Sequence, residues 1–223
     1  MIEKKIIIAD AAVRVYVNPE KEFTVSSIAE EAGVLMSDFF DCFPNKKAAL
    51  HFWYESIPAR YEMMLAEIEG YDELTLAEKL SNFLFVAFSI LDEQRDFVLE
   101  TYQDFVFKNQ KWHPLRKETA RLLKIIVEDH RGVSNAARVV LFDEVFDFMA
   151  KETLHIYKFW TKDNSEDFER SMALADKFSS FGAELLCNKI IDSGIDLARF
   201  FWNEGIIKVD INVPFVGRIK SGS

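Results

Sequence analysis

Between Phe23 and Leu50 the chain reads FTVSSIAEEAGVLMSDFFDCFPNKKAAL, and this stretch limits the possible fold more than any other. Val25, Ile28, Ala29 and Ala32 fall at i, i+3, i+4 and i+7, the apolar stripe of a short amphipathic helix with Thr24 as its N-cap. Gly33 follows, where a residue without a β-carbon can leave a helix through positive φ without steric cost. Met36, Phe39, Phe40 and Phe43 repeat the spacing on a second short helix. Pro44 and Asn45 end it, and Lys46-Lys47 open a third. Two short amphipathic helices about a glycine turn make a helix-turn-helix, whose second helix is usually built to enter the DNA major groove.

The stretch resembles the N-terminal domain of the TetR family of bacterial repressors. The residues that carry the likeness are Ile28-Ala29, Ala32-Gly33-Val34, Phe43-Pro44 and Lys46, with Ala11-Ala12 on a preceding helix. The resemblance implies an all-α fold in two parts: a three-helix helix-turn-helix domain over 1–50, and a larger helical ligand-binding and dimerisation domain over 51–208. It implies a homodimer whose reading heads meet DNA half-sites, with a small apolar ligand in the larger domain shifting their spacing. It assigns Thr24, Lys46 and Lys47 to phosphate-contact positions and Ser37 and Phe40 to the DNA-facing helix, Phe40 standing where members often carry a contacting Tyr. Lys4 and Lys5 lie on a first turn that members often use to touch phosphate.

The second helix departs from that pattern. From Val34 to Phe43 there is no Lys or Arg, and Asp38 and Asp41 are present. Affinity for DNA rests largely on phosphate neutralisation, so acids on a groove-facing surface predict weakened binding. Residues 1–54 hold Lys4, Lys5, Arg14, Lys21, Lys46 and Lys47 against eight acids, so the head is itself slightly acidic. A rival expectation therefore keeps the fold without DNA recognition. It is a dimeric module for a lipid or other apolar molecule, similar to the lipid-binding ubiquinone-biosynthesis proteins that share this architecture.

The net charge of −10 argues against a surface that coats nucleic acid or anionic membranes. Apolar residues make up 49% of the 223, enough for a substantial core. Cys42 and Cys187 stand far apart, which fits a reduced, cytoplasmic setting. The longest apolar run, Phe83 to Leu91, is too short to span a bilayer, and the N-terminal run is too short for a signal peptide. His51, His113, His130 and His155 are dispersed, and no phosphate loop, metal-ligand spacing or nucleophile elbow is visible. The expectation is a non-enzyme without cofactor or metal.

Along the chain, Ile8, Ala11, Ala12 and Val15 mark helix 1. Pro58 inside the helix from Lys46 to about Glu69 predicts a kink near Tyr54 to Pro58. Thr75 and Glu78 form a capping box ahead of a helix that is apolar on nearly every side from 83 to 91, and so is expected to be central. Pro114 suits the first position of a later helix, and Ser134 is the expected cap of the longest one, to about Trp160. The ligand chamber is expected to be walled by Phe83, Phe88, Tyr102, Phe105, Trp112, Phe142, Phe146 and Met149, with His113, Tyr157 or Gln103 as polar orienters. In the next helix Ser171, Ala175, Ser179 and Gly182-Ala183 put small residues on one side, beside Met172, Phe178, Phe181 and Leu185. Small residues permit close helix approach, either across a four-helix dimer interface (Met172, Phe178, Gly182, Leu185) or within one chain. From Val209 to Phe215 the pattern alternates, and 209–223 is expected to be a tail along the body.

Overall fold

A computed structural model describes residues 2–65, 67–130 and 143–187. Phe142, Ser134, the helix expected beyond 190, the tail at 209–223 and the side chains of Leu185 and Cys187 lie outside the described residues. All regular structure among the described residues is helical. The helices are α1 (Ile2–Val17), α2 (Val25–Ala32), α3 (Met36–Cys42), α4 (Lys46–Glu55), α5 (Ile57–Leu65), α6 (Leu76–Glu93), α7 (Arg95–Phe105), α8 (Pro114–Glu128), α9 (Asp143–Trp160) and α10 (Glu169–Cys187).

The local signals set the helix ends. The Thr24 hydroxyl accepts from Ser27 N–H at 3.1 Å, and Gly33 leaves α2 at φ 66°. Asn45 caps α4 by accepting from Ala48 N–H at 2.9 Å. Thr75 and Glu78 close the reciprocal capping box of α6, and Pro114 opens α8. The expected kink falls at Ser56, between α4 and α5, where Pro58 has no N–H to continue the ladder. Before α10 the chain makes a tight turn at 166–168 with Asp167 and Phe168 at positive φ, and α10 begins at Glu169. Asp163 holds that turn, accepting from the N–H and hydroxyl groups of both Ser165 and Ser171 at 2.6–3.0 Å.

The interior runs unbroken from α1 to α10. Helix α1 buries a face of small residues, Ala9, Ala11 and Ala12, so α2 and α4 approach it closely. On α3 the expected four-residue stripe splits. Phe39 and Phe43 are buried, while Met36 and Phe40 are about half exposed, because one side chain per turn of this two-turn helix reaches the interior. Helix α6 is central as expected, touching α5, α7, α8, α9 and α10. The small side of α10, Ser171, Ala175, Ser179 and Ala183, is buried, and this helix lies along α6 of the same chain. That is the intrachain use the sequence left open. A β-carbon at Gly182 would lie 3.8 Å from Leu80 and 3.9 Å from Met149, so Gly182 faces its own chain's core. Met172 and Phe178 are half-buried against that core, and Phe181 is exposed.

Candidate functional site

The turn of α2–α3 presents a face with few free cations. Leu35, Met36, Ser37, Phe40 and Asp41 are its exposed residues. Lys4 reaches across from α1 to donate to Asp38, and that contact holds the Asp38 carboxyl below its usual range and the Lys4 ammonium above its own. Asp38 also accepts from Leu35 N–H at 3.2 Å, so it caps α3 as well. Arg14 and Lys21 both donate to Glu31, at 2.8 and 2.6 Å. Lys46 donates to the Phe23 carbonyl and stands 4.8 Å from that ring's centroid. Lys5 lies over Phe43 and Phe52 at 5.8 and 5.5 Å, and Lys47 over Phe105 at 5.6 Å. All six cations of residues 1–54 are thus engaged within the chain, and Thr24 spends its hydroxyl on Ser27.

The head is joined to the body by a polar node and an aromatic seam. Asp10 of α1 accepts from Trp53 Nε1–H at 3.0 Å and from both terminal nitrogens of Arg60 at 2.6 and 3.2 Å. Arg60 Nε also donates to Ser56 Oγ, and Ser56 donates to the Trp53 carbonyl, so the α4–α5 kink is tied to α1. On the other side Phe97 of α7 packs against Tyr16, Trp53 and Tyr54 at centroid distances of 5.7, 5.5 and 5.4 Å. Tyr16 donates to Glu100 and the Tyr54 hydroxyl meets Thr101 Oγ1, at 2.6 and 2.7 Å. Apart from the Arg60–Ser56 and Ser56–Trp53 bonds within the kink, these pairs join residues 43 to 84 positions apart and carry no local sequence signal.

The expected chamber residues part company. Phe83, Phe88, Tyr102 and Met149 lie inside the packed core; Phe88 stacks on Trp160, and the Tyr102 hydroxyl donates to the Leu154 carbonyl at 2.7 Å. Phe105 is half-buried, stacked on His51 at 4.5 Å. Trp112, 82% exposed, His113 and Phe146 come together at an open cleft of about 720 Å³ between the end of α4, α8 and the start of α9. Gln103 is not among the residues lining it.

This cleft is rimmed by charge rather than walled by aromatics. Lys111, Arg116, Lys117, Arg121 and Lys124 face Glu55, Glu118, Asp143 and Asp147. Arg116 Nε pairs with Asp147 at 2.7 Å, and Lys124 with Asp143 and Arg121 Nε with Glu118, each at 2.9 Å. His113 caps α8, its Nδ1 accepting from Leu115 N–H at 3.2 Å, which leaves the proton of the neutral ring on Nε2. Nε2 is buried without a partner. Burial, and then His51 at 5.9 Å between centroids, lower the His113 pKa to about 4. Burial, and then Glu118, push the Glu55 carboxyl up. Among the described residues no group of three His, Cys, Asp or Glu is placed to hold a metal, and no helix is long and apolar enough to cross a membrane.

The profile of the family described as "Tetracyclin repressor-like, C-terminal domain" matches residues 79–201. A crystal structure of the TetR transcriptional regulator from Nitrosomonas europaea ATCC 19718 has a similar fold. It superposes with a TM-score of 0.55 over 80% of this chain and 97% of its own, at 16% sequence identity. No curated protein matches the chain. The profile match covers more than half of the sequence, and the chain belongs to the tetracycline-repressor-like (TetR) family of transcriptional regulators.

Proposed function

We propose that this chain is a homodimeric regulator whose hold on DNA answers to a small molecule in the cleft between α4, α8 and α9. The observation that supports this is the course of α4. Its N-terminus carries Lys46 and Lys47 beside the helix-turn-helix, His51 in its middle faces His113 at 5.9 Å, and Glu55 at its end lines the cleft. Ten residues span about 15 Å of helix, so one rigid rod reaches from the DNA-facing side to the ligand side. A ligand that parts α8 from α4 moves the rod, and with it α1 through Asp10. By linkage, a ligand that weakens DNA binding binds less tightly to the DNA-bound form.

The DNA contacts in this reading are Thr24, Ser37, Phe40, Lys46 and Lys47, with Lys4 and Lys5. Dimerisation uses α10, where Phe181 is exposed and Met172 and Phe178 are half-buried. The test is fluorescence anisotropy with DNA flanking its own gene and with random duplexes, at low and moderate salt, alongside sedimentation at micromolar concentration. Specific sub-micromolar binding by a dimer, with Phe181→Glu shifting the protein towards monomer, supports the reading. A monomer at micromolar concentration ends the dimer proposal.

A second reading keeps the dimer and the ligand cleft but not DNA recognition. It is favoured by one observation: every cation of residues 1–54 is engaged internally, while the outer face of α3 offers Met36, Phe40 and Asp41. Absence of DNA binding at low salt, in a protein that still binds ligand, decides for it.

A further inference from the structure

The cleft's charges are not evenly matched, and the remainder names a ligand class. Resting on the reading of this cleft as the ligand site, we infer that its occupant is a flat apolar body bearing one carboxylate, the carboxylate held at the N-terminal end of α8 by His113 and Lys117. Asp147, Asp143 and Glu118 are already answered by Arg116, Lys124 and Arg121. Lys117 has no partner among the described residues. His113 is 7% exposed, its Nδ1 side is fixed by Leu115 N–H, and its Nε2–H meets no acceptor. A buried donor without an acceptor is rare and costly in folded proteins, and an arriving acceptor accounts for it.

His113 is the N-cap and Lys117 lies in the first turns of α8, and both line the cleft. The positive end of a 15-residue helix adds to their attraction for an anion. Glu55 opposes that anion less than its formal charge implies, because burial and Glu118 both disfavour its charged form. In a chain of net charge −10, an anion-seeking corner of this kind is a local exception. Trp112, with Lys111 5.1 Å over its ring, supplies flat apolar surface for the rest of the ligand, and the buried Phe146 backs the cleft. A cleft of about 720 Å³ suits a ligand of ordinary small-molecule size.

Calorimetric titration of the full chain with 1-naphthylacetate, 1-naphthylacetamide and 2-(1-naphthyl)ethylamine separates charge from shape. The carboxylate is expected to bind roughly tenfold or more tightly than the amide, as one charge-assisted hydrogen bond implies, and the amine to bind most weakly. Lys117→Gln should abolish the preference for carboxylate while leaving the melting temperature of the unliganded protein unchanged, since Lys117 is exposed. The His113 Nε2–H resonance in the unmodified protein should move downfield with the carboxylate and not with the amine. Equal binding of all three probes, or preference for the amine, overturns the carboxylate class while the cleft remains a ligand site. No heat or resonance change with any probe at millimolar concentration overturns both.

Discussion

Replacing Asp38 by Asn tests whether the proposed DNA face is held in check by its own chain. In the native head, Asp38 does two things: it pairs with Lys4 and caps α3 through Leu35 N–H. Asparagine keeps an oxygen for the Leu35 N–H and removes the charge that holds Lys4. The fold should barely respond, because exposed ion pairs contribute little to stability. The DNA response should be larger. Each released Lys4 can neutralise one more phosphate, which steepens the fall of log K with log salt by about 0.9, or about 1.8 for the two heads of a dimer. Between about 50 and 200 mM salt, that extra slope amounts to a further loss of roughly 12-fold in affinity, and tighter binding at the low-salt end. Anisotropy titrations of a labelled random duplex measure it, with circular dichroism and melting as controls. Lys4→Gln added to Asp38→Asn should return the slope to that of the native protein. An unchanged slope in folded Asp38→Asn would refute the reasoning. Binding that appears only in the variant would show that the native head has lost DNA contact through its own acids.

Gly182→Ala should stabilise the chain by about 0.5–1 kcal/mol in denaturant titration, because the added methyl meets Leu80 and Met149 at ordinary contact distance and the helix loses a glycine. Gly182→Trp should destabilise the folded chain itself by overfilling that contact, visible in melting at concentrations low enough to exclude association. Asp163→Asn should cost about 2–3 kcal/mol, since a single neutral oxygen replaces a carboxylate that takes four hydrogen bonds. Burial acts to raise the Asp163 pKa, but the Ser165 and Ser171 donors win and hold it well below the carboxylate range. The native advantage over Asp163→Asn is therefore full above the unfolded value of about 4 and shrinks as pH falls below it. His113 has the lowered pKa of a buried neutral ring, about 4 against about 6.5 unfolded, so protons favour the unfolded chain as pH falls through that interval. Stability should drop by no more than about 3 kcal/mol between those values, and His113→Gln should flatten the drop in urea titrations taken at several pH values.

Sequence alone determined the features that act over a few residues. Thr24 and Gly33 bound α2, Thr75 and Glu78 start α6, Pro114 opens α8 and Pro58 parts α4 from α5, each through a hydrogen bond or dihedral limit that involves at most four neighbouring positions. The helix-turn-helix and the central place of α6 follow from apolar spacing for the same reason. Apolar spacing could not say which faces meet. The small side of α10 suits a partner helix or α6 equally well by pattern, and only packing placed it on α6. It could not separate core aromatics from cleft aromatics either, since Phe83 and Phe146 look alike along the chain while only Phe146 reaches the cleft. Beyond the local helix pairs such as Arg121–Glu118, the pairing of charges was decided in three dimensions. Lys4 finds Asp38 from 34 positions away, Arg60 finds Asp10 from 50, and Arg116 finds Asp147 from 31. A charge in the sequence has a sign but no neighbours. Whether Asp38 repels phosphate or is answered by Lys4 depends on how α1 crosses α3, which tertiary packing alone sets.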